Sequence, residues 1–137
     1  MMSRVPRRRR RDGTAVRSGQ ALVEFAIASI LFLMIIFGTI DFGRAIFLSS
    51  ELHNAVREGS RYGKINPTDT TNIRQRVVDK AYGTGLDTSG VAVSCSGSCA
   101  SGDQLTVSAS VQFQAVTQSF LGISPITLSS SNTVDVE

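Results

Sequence analysis

Four features of this sequence carry side chains that could do chemistry: two neighbouring cysteines, one histidine, an Asp-Phe-Gly tripeptide and an acid inside an apolar run. The cysteines are Cys95 and Cys99, in the order Cys-Ser-Gly-Ser-Cys. A structural zinc site needs about four ligands, and His53, the only histidine, lies far away in the chain. We therefore expect a disulfide between Cys95 and Cys99 rather than free thiols or a metal. It would close a very small loop and contribute about 1 to 2 kcal/mol.

The histidine and the tripeptide lack the partners that catalysis would require. Asp41-Phe42-Gly43 is the tripeptide that holds magnesium in protein kinases, but the sequence has no kinase catalytic loop and no glycine-rich strand turn. His53 has no nucleophile beside it, and Glu51, two residues away, would point to another side of a helix. We interpret His53 as an ordinary exposed helix residue, and we predict no enzyme activity, no cofactor and no metal site.

The acid is Glu24, which stands just before a run of residues, 25–40, that contains no charge. The twenty residues 21–40 would form a helix of about 30 Å, which is the hydrocarbon thickness of a bilayer. A carboxylate in such a helix costs about 2.5 to 3.5 kcal/mol on insertion scales, so a positive partner is expected. The sequence therefore predicts one membrane crossing at residues 21–40, with Glu24 as a charge that needs neutralising.

Arg17 lies two turns earlier and could partly neutralise Glu24. Two other arrangements would satisfy the carboxylate. If the chain is cut after Gly19, Gln20 becomes the first residue and the α-amino group of a neighbouring copy neutralises the Glu24 carboxylate, which sets the register between subunits. If the chain is not cut, it is a signal anchor in which Glu24 extends to the lipid headgroups. A secretory signal peptide is excluded, because its apolar core is about 7 to 15 residues long and ends in a small-x-small site.

A strongly basic segment precedes the apolar run. Residues 1–19 carry seven arginines and one aspartate, a local charge of +6, which leaves −3 for the rest of a chain whose total is +3. Beside a single apolar helix, such arginines keep the amino terminus in the cytoplasm. A nucleic-acid arm or a contact with anionic lipid is the alternative, and the lack of interleaved aromatic residues argues against base contacts. We predict a disordered leader and no nucleic-acid partner.

These residues resemble a known class of proteins. A basic leader ending in Gly19, followed by Glu24-Phe25 and an apolar helix, resembles the prepilins that a prepilin peptidase cuts. The continuation Ile-Asp-Phe-Gly-Arg at residues 40–44, with Asn-Ala-Val-Arg-Glu-Gly-Ser-Arg-Tyr at residues 54–62, is similar to the TadE-like pseudopilins of tight-adherence (Flp) pilus systems. The resemblance implies a minor pilus or assembly component that is cut between Gly19 and Gln20. Glu24 and Phe25 would then act in assembly.

The resemblance also implies partners and a location. The partners would be the prepilin peptidase, other pilins or pseudopilins, the inner-membrane assembly platform and membrane lipid. The chain would cross the bacterial cytoplasmic membrane once, with its amino terminus inside and its carboxyl-terminal domain outside, and it would serve adhesion or secretion there or in the pilus. The alternative is an uncleaved single-pass protein that displays an extracytoplasmic binding domain.

Beyond the membrane segment, the helical period continues, so that residues 20–64 would form one transmembrane and stalk helix of about 65 Å. Residues at steps of three and four predict its packed face: Phe42, Ala45, Ile46, Ser49, Leu52, Val56, Gly59 and Gly63. The two glycines each cost about 1 kcal/mol relative to alanine, which is tolerable if another layer packs closely against them. Asp41 with Arg44 and Glu58 with Arg61 are spaced as surface ion pairs.

A second, shorter helix should follow. Asn66-Pro67 ends the stalk, Thr68 or Asp69 caps the new helix, and Gly83 stops it. The helix has an apolar stripe made of Ile73, Val77 and Ala81. We interpret its charged opposite face as solvated, with a partner-binding patch as the alternative.

The period then changes to two, which predicts three strands with one buried face each. Their apolar positions are Val91, Val93 and Cys95, then Leu105, Val107, Ala109, Val111 and Phe113, then Ile126, Leu128, Val134 and Val136. Short connections make the strands antiparallel, and residues 116–122 predict a helical turn before Pro125. The predicted fold is α+β and pilin-like: leader 1–19, transmembrane and stalk helix 20–64, and an extracytoplasmic domain 65–137 with a small antiparallel sheet.

Overall fold

A computed structural model describes the backbone of residues 14–137 and the side chains from residue 19 onward, apart from that of Ser119. Most of the predicted leader therefore lies outside the described residues. The first element is a 50-residue helix, α1 (Thr14–Gly63). It begins within the predicted leader, so the prediction of disorder up to the start of the helix at Gln20 is wrong for residues 14–18. The chain divides into two compact units, one ending at Ile36 and one comprising Phe37–Glu137, and α1 contributes to both.

The second helix, α2 (Thr70–Lys80), begins at a capping aspartate. The carboxylate of Asp69 accepts hydrogen bonds from the backbone N–H of Asn72 at 3.3 Å and from its side-chain amide at 2.7 Å. The Tyr62 hydroxyl, on the last turn of α1, donates to the same carboxylate at 3.1 Å. The backbone bond satisfies a donor that a helix start otherwise leaves free. The predicted second helix is confirmed, and of its two candidate caps, Thr68 and Asp69, the structure has Asp69.

Three antiparallel strands form one sheet in the order β1 (Val91–Cys95), β2 (Gln104–Phe113) and β3 (Ile126–Asp135). Val107 in the central strand pairs with Val93 on one side and with Asn132 on the other. A single turn of helix, α3 (Gln118–Leu121), connects β2 to β3 and ends at Gly122 in the left-handed conformation. The predicted α+β fold, with a long amino-terminal helix, a short helix and a small antiparallel sheet, is confirmed.

The core of the second unit is formed where the later part of α1 meets α2 and the sheet. Its buried side chains are Leu52, Ala55, Val56, Ile73, Val77, Ala81, Leu86, Val91, Leu105, Val107, Ala109 and Val136. Two glycines of α1 permit this close approach, because a Cβ at Gly59 would collide with Val77 and a Cβ at Gly63 would collide with Leu105. The cost of glycine within a helix is therefore offset by the packing of another layer at these two positions.

The predicted packed face of α1 is wrong at its beginning. Phe42 and Ile46 are 67% and 55% exposed, and Ser49 is exposed as well. The buried position there is instead Asp41, at 6% exposure, while Ala45, which belongs to the predicted face, is half-buried. Steps of three and four residues fit both stripes equally well. The segment after β2 decides between them, because it packs beside Asp41 through hydrogen bonds that the local pattern does not reveal.

Candidate functional site

The apolar residues of α1 between positions 21 and 40 are largely exposed in the part of the chain that the structure describes. Large side chains along this segment are more than half exposed: Leu22, Val23, Phe25, Ile27, Ile30, Leu31, Phe32 and Ile35. The helix that contains them is long and apolar enough to cross a membrane. Since such a surface is unfavourable in water, it needs lipid or other apolar helices around it.

The residues predicted to act in processing and assembly lie at the start of this segment. Gly19 and Gln20 are exposed within α1, and a Cβ added at Gly19 would meet nothing within 4 Å. Glu24 lies one helical turn after Gln20 and is exposed, as is Phe25 at 71%. Among the side chains that the structure describes, none forms a hydrogen bond or an ion pair with Glu24.

Sequence reasoning missed a second acidic site, at Asp41. One carboxylate oxygen accepts the backbone N–H of Val116 at 2.9 Å, while the other accepts the backbone N–H of Thr117 at 2.9 Å and its hydroxyl at 2.8 Å. The N–H groups of Thr117 and Val116, in that order, hold the pKa of the Asp41 carboxyl below its ordinary value. Asp41 therefore fixes the segment that follows β2 against α1.

Arg44 completes this cluster. Its guanidinium lies 3.3 Å from the Asp41 carboxylate and 5.4 Å from the centre of the Phe113 ring. The expected pair of Asp41 and Arg44 is present. It is not a fully exposed pair, because Asp41 is buried and bonds mainly to a distant backbone. Nothing local in the sequence identified Asp41 as the acceptor for Val116 and Thr117.

The other residues predicted from the sequence lie elsewhere in the chain than Glu24 and Asp41. Cys95 and Cys99 are joined by a disulfide directly after β1. His53 is exposed, as expected, and its Nδ1 lies 3.2 Å from the Ser130 hydroxyl of β3. Within the described residues, no group of three or more His, Cys, Asp or Glu side chains is placed to hold a metal ion. The surface pair of Glu58 and Arg61 is present, at 2.9 Å.

Comparison with known proteins gives one finding. Residues 19–61 match the model of the family described as TadE-like protein. No curated protein and no solved structure matches the chain. The matched residues include Glu24, the exposed apolar segment and Asp41, and they stop before α2. The resemblance read from the sequence is confirmed over this stretch, and the family implies a component associated with a Tad pilus.

Proposed function

We propose that this chain, TadE-like over residues 19–61, is a minor pseudopilin that is cut after Gly19 and assembles through its amino-terminal helix. The observation that carries the proposal is the position of Glu24. It is the only charge among residues 21–40, it is exposed on α1, and it comes five residues after Gly19. The proposed role is structural rather than catalytic, as is that of the family's pilus components.

The physical role of Glu24 follows from its surroundings. A carboxylate in the apolar part of a bilayer is costly unless a positive group neutralises it. Cutting after Gly19 creates such a group, because the α-amino terminus of Gln20 has an ordinary pKa of about 8 and is positive at neutral pH. Gln20 and Glu24 are four residues apart, or about 6 Å along a helix. A neighbouring subunit displaced by that distance would bring its amino terminus level with Glu24.

Topology and processing follow the same reasoning. The arginines of residues 1–19 hold the amino terminus in the cytoplasm, so that the carboxyl-terminal domain and its disulfide face the oxidising side. The prepilin peptidase acts on the bond between Gly19 and Gln20, where the lack of a side chain at Gly19 leaves the backbone accessible. Phe25 then contributes to helix packing with other pilins or pseudopilins and with the assembly platform.

One observation favours an uncleaved membrane anchor as a second candidate. Gly19 and Gln20 lie within α1, so a peptidase would have to unwind the first turns of the helix to reach the bond. In that case the arginine leader stays attached and Glu24 extends to the headgroups. The domain would then serve as a binding module on the membrane surface.

Replacing Glu24 in the full-length chain tests the proposal. Glu24→Gln removes the charge while keeping the shape, so we expect normal membrane insertion and about tenfold less chain in sheared pili or in complexes with its sibling pseudopilins, as loss of about 1.4 kcal/mol would give. Glu24→Asp should restore part of the assembly. The matched control is Glu51→Gln, which removes a carboxylate from α1 beyond the apolar run. Assembly that is unchanged in Glu24→Gln would show that the charge has no registering role.

A further inference from the structure

Exposed apolar side chains cluster on the segment that links β2 to β3 and on the first residue of β3. They are Val116, Phe120, Leu121, Ile123 and Ile126, which we call the linker patch, with exposures from 44% to 76%. Among the described residues after Gly63, the other large exposed apolar or aromatic side chains are Ile65 and Tyr82. A concentration of this kind marks a surface that meets another apolar phase.

The Asp41 hydrogen bonds fix where this patch lies. They hold the N–H groups of Val116 and Thr117, at the beginning of the linker, within 2.9 Å of the Asp41 carboxylate. An apolar groove of about 270 Å³ lies beside them, and its lining includes Phe42, Ile123 and Ile126. The linker patch is therefore held next to the part of α1 that begins at residue 41.

Position 41 is also where the uncharged run ends. Residues 25–40 contain no charge, and Asp41 is the first acid after them. If a bilayer takes up residues 21–40, then Asp41 lies at its outer boundary, and so does the patch that Asp41 holds. Arg44 follows one turn later with about half of its side chain exposed, at the depth where a guanidinium meets lipid phosphates.

We propose that the linker patch inserts into the outer boundary of the bilayer and gives the domain a second membrane contact beside its transmembrane helix. This inference rests on the membrane crossing in the proposed function, though not on cleavage. Shallow insertion of this type buries apolar side chains about 5–10 Å into the boundary between headgroups and acyl chains. The contact holds the domain at a fixed depth against the membrane.

Charge favours lipid over a protein partner as the occupant. The sequence has no charged residue anywhere from position 104 to position 134, a stretch that includes β2, α3 and most of β3. Entry of the linker into the bilayer boundary therefore desolvates no charged side chain of its own, which would be the main cost. The patch also adjoins the end of the membrane segment, where lipid is already present.

Single tryptophans test the insertion, since the natural chain has none. The full-length protein is reconstituted in vesicles of phosphatidylcholine and phosphatidylglycerol, with or without bromine in the upper part of the acyl chains. We expect the emission of Phe120→Trp to be shifted to the blue and reduced about twofold by bromine, as insertion to the acyl boundary requires. Leu121→Trp, on the same turn, gives an independent second measurement.

Two controls make the outcome decisive. Tyr82→Trp replaces an 83% exposed residue outside the patch. Its emission should remain at long wavelength and should not be quenched by bromine. Phe32→Trp, in the apolar helix, reports the membrane crossing itself, so quenching there without quenching at positions 120 and 121 overturns the patch proposal alone. A blue shift without quenching, lost when the protein is diluted in lipid, would assign the patch to protein contacts and would overturn it as well.

Discussion

The two parts of α1 differ in what surrounds them, although both are helical. Residues 21–40 present large apolar side chains to the outside, as at Leu31 and Phe32. The part that ends at Gly63 is covered by α2 and the sheet, where it buries Leu52 and Val56 and has glycine at the two closest approaches, Gly59 and Gly63. The difference teaches that burial in this helix is decided by available partners rather than by hydrophobicity. The most apolar residues are the uncovered ones.

Truncating a core leucine should give the largest difference between the two parts. Leu105 is fully buried and lies against Gly63 of α1. Leu105→Ala should lower the free energy of unfolding of the second unit by about 2–5 kcal/mol, because the truncation leaves a cavity. The matched control Leu31→Ala, on the exposed segment, should change that quantity by less than about 0.5 kcal/mol. Hydrogen exchange of the β2 amides in the detergent-solubilised chain measures both. Equal losses of stability in Leu105→Ala and Leu31→Ala would contradict the difference between the two parts of α1.

Adding a methyl group to each part sharpens the comparison at a smaller scale. Gly63→Ala should destabilise the second unit by about 1–3 kcal/mol, because the new Cβ collides with Leu105. Gly38→Ala has open space around it, so it should be neutral or favour the helix by up to about 1 kcal/mol. Thermal unfolding of the solubilised chain, monitored by proteolysis, measures the stability change of each variant. A smaller loss for Gly63→Ala in a Leu105→Val background would confirm the specific contact.

Acid should destabilise the second unit in part by protonating Asp41. We expect the effect of this single residue to be smaller than those of Leu105→Ala and Gly63→Ala. Hydrogen bonds lower the pKa of its carboxyl in the folded chain, so its contribution to stability is present above the unfolded pKa of about 4 and is lost as the pH falls below that value. Asp41→Asn should therefore lower stability at pH 7 and flatten the dependence between about pH 4 and pH 2. Melting temperatures across this range test it.

The control for acid is Asp135→Asn, at an exposed carboxylate on the last residue of β3. It should leave the dependence on pH close to that of the natural chain, whose remaining slope also comes from Asp69 and Glu58, where hydrogen bonds likewise lower the pKa. An Asp41→Asn curve that is parallel to the natural one would refute the role assigned to these hydrogen bonds.

Local signals predicted most of the fold. Alternation with a period of two predicted all three strands, but Ile126, which was expected on the buried face of β3, is 53% exposed. The sequence up to Val77 predicted the second helix, its buried stripe and a cap at Thr68 or Asp69. These features depend on contacts between residues near each other in the chain or on a simple choice of face. The glycines at positions 59 and 63 also predicted a close layer, which α2 and β2 supply.

The partner of Asp41 could not be predicted in this way. Its hydrogen bonds join residues 75 and 76 positions apart, so no periodic pattern includes both ends. For the same reason the packed face of α1 was placed on Phe42 and Ile46 instead of Asp41. The candidate site at Glu24 was proposed from sequence, because an acid in an apolar run is conspicuous wherever it stands, but none of the described side chains reveals its partner.

The central claim is that the Glu24 carboxylate is neutralised by the α-amino group that cutting after Gly19 creates. The intact mass of the full-length chain, extracted from membranes of cells with an active prepilin peptidase, tests it most directly, with peptidase-deficient cells as the control. The account predicts a mature chain that begins at Gln20 in the first cells and a precursor in the second. A chain that keeps its arginine-rich leader in both would contradict the account and favour the uncleaved anchor.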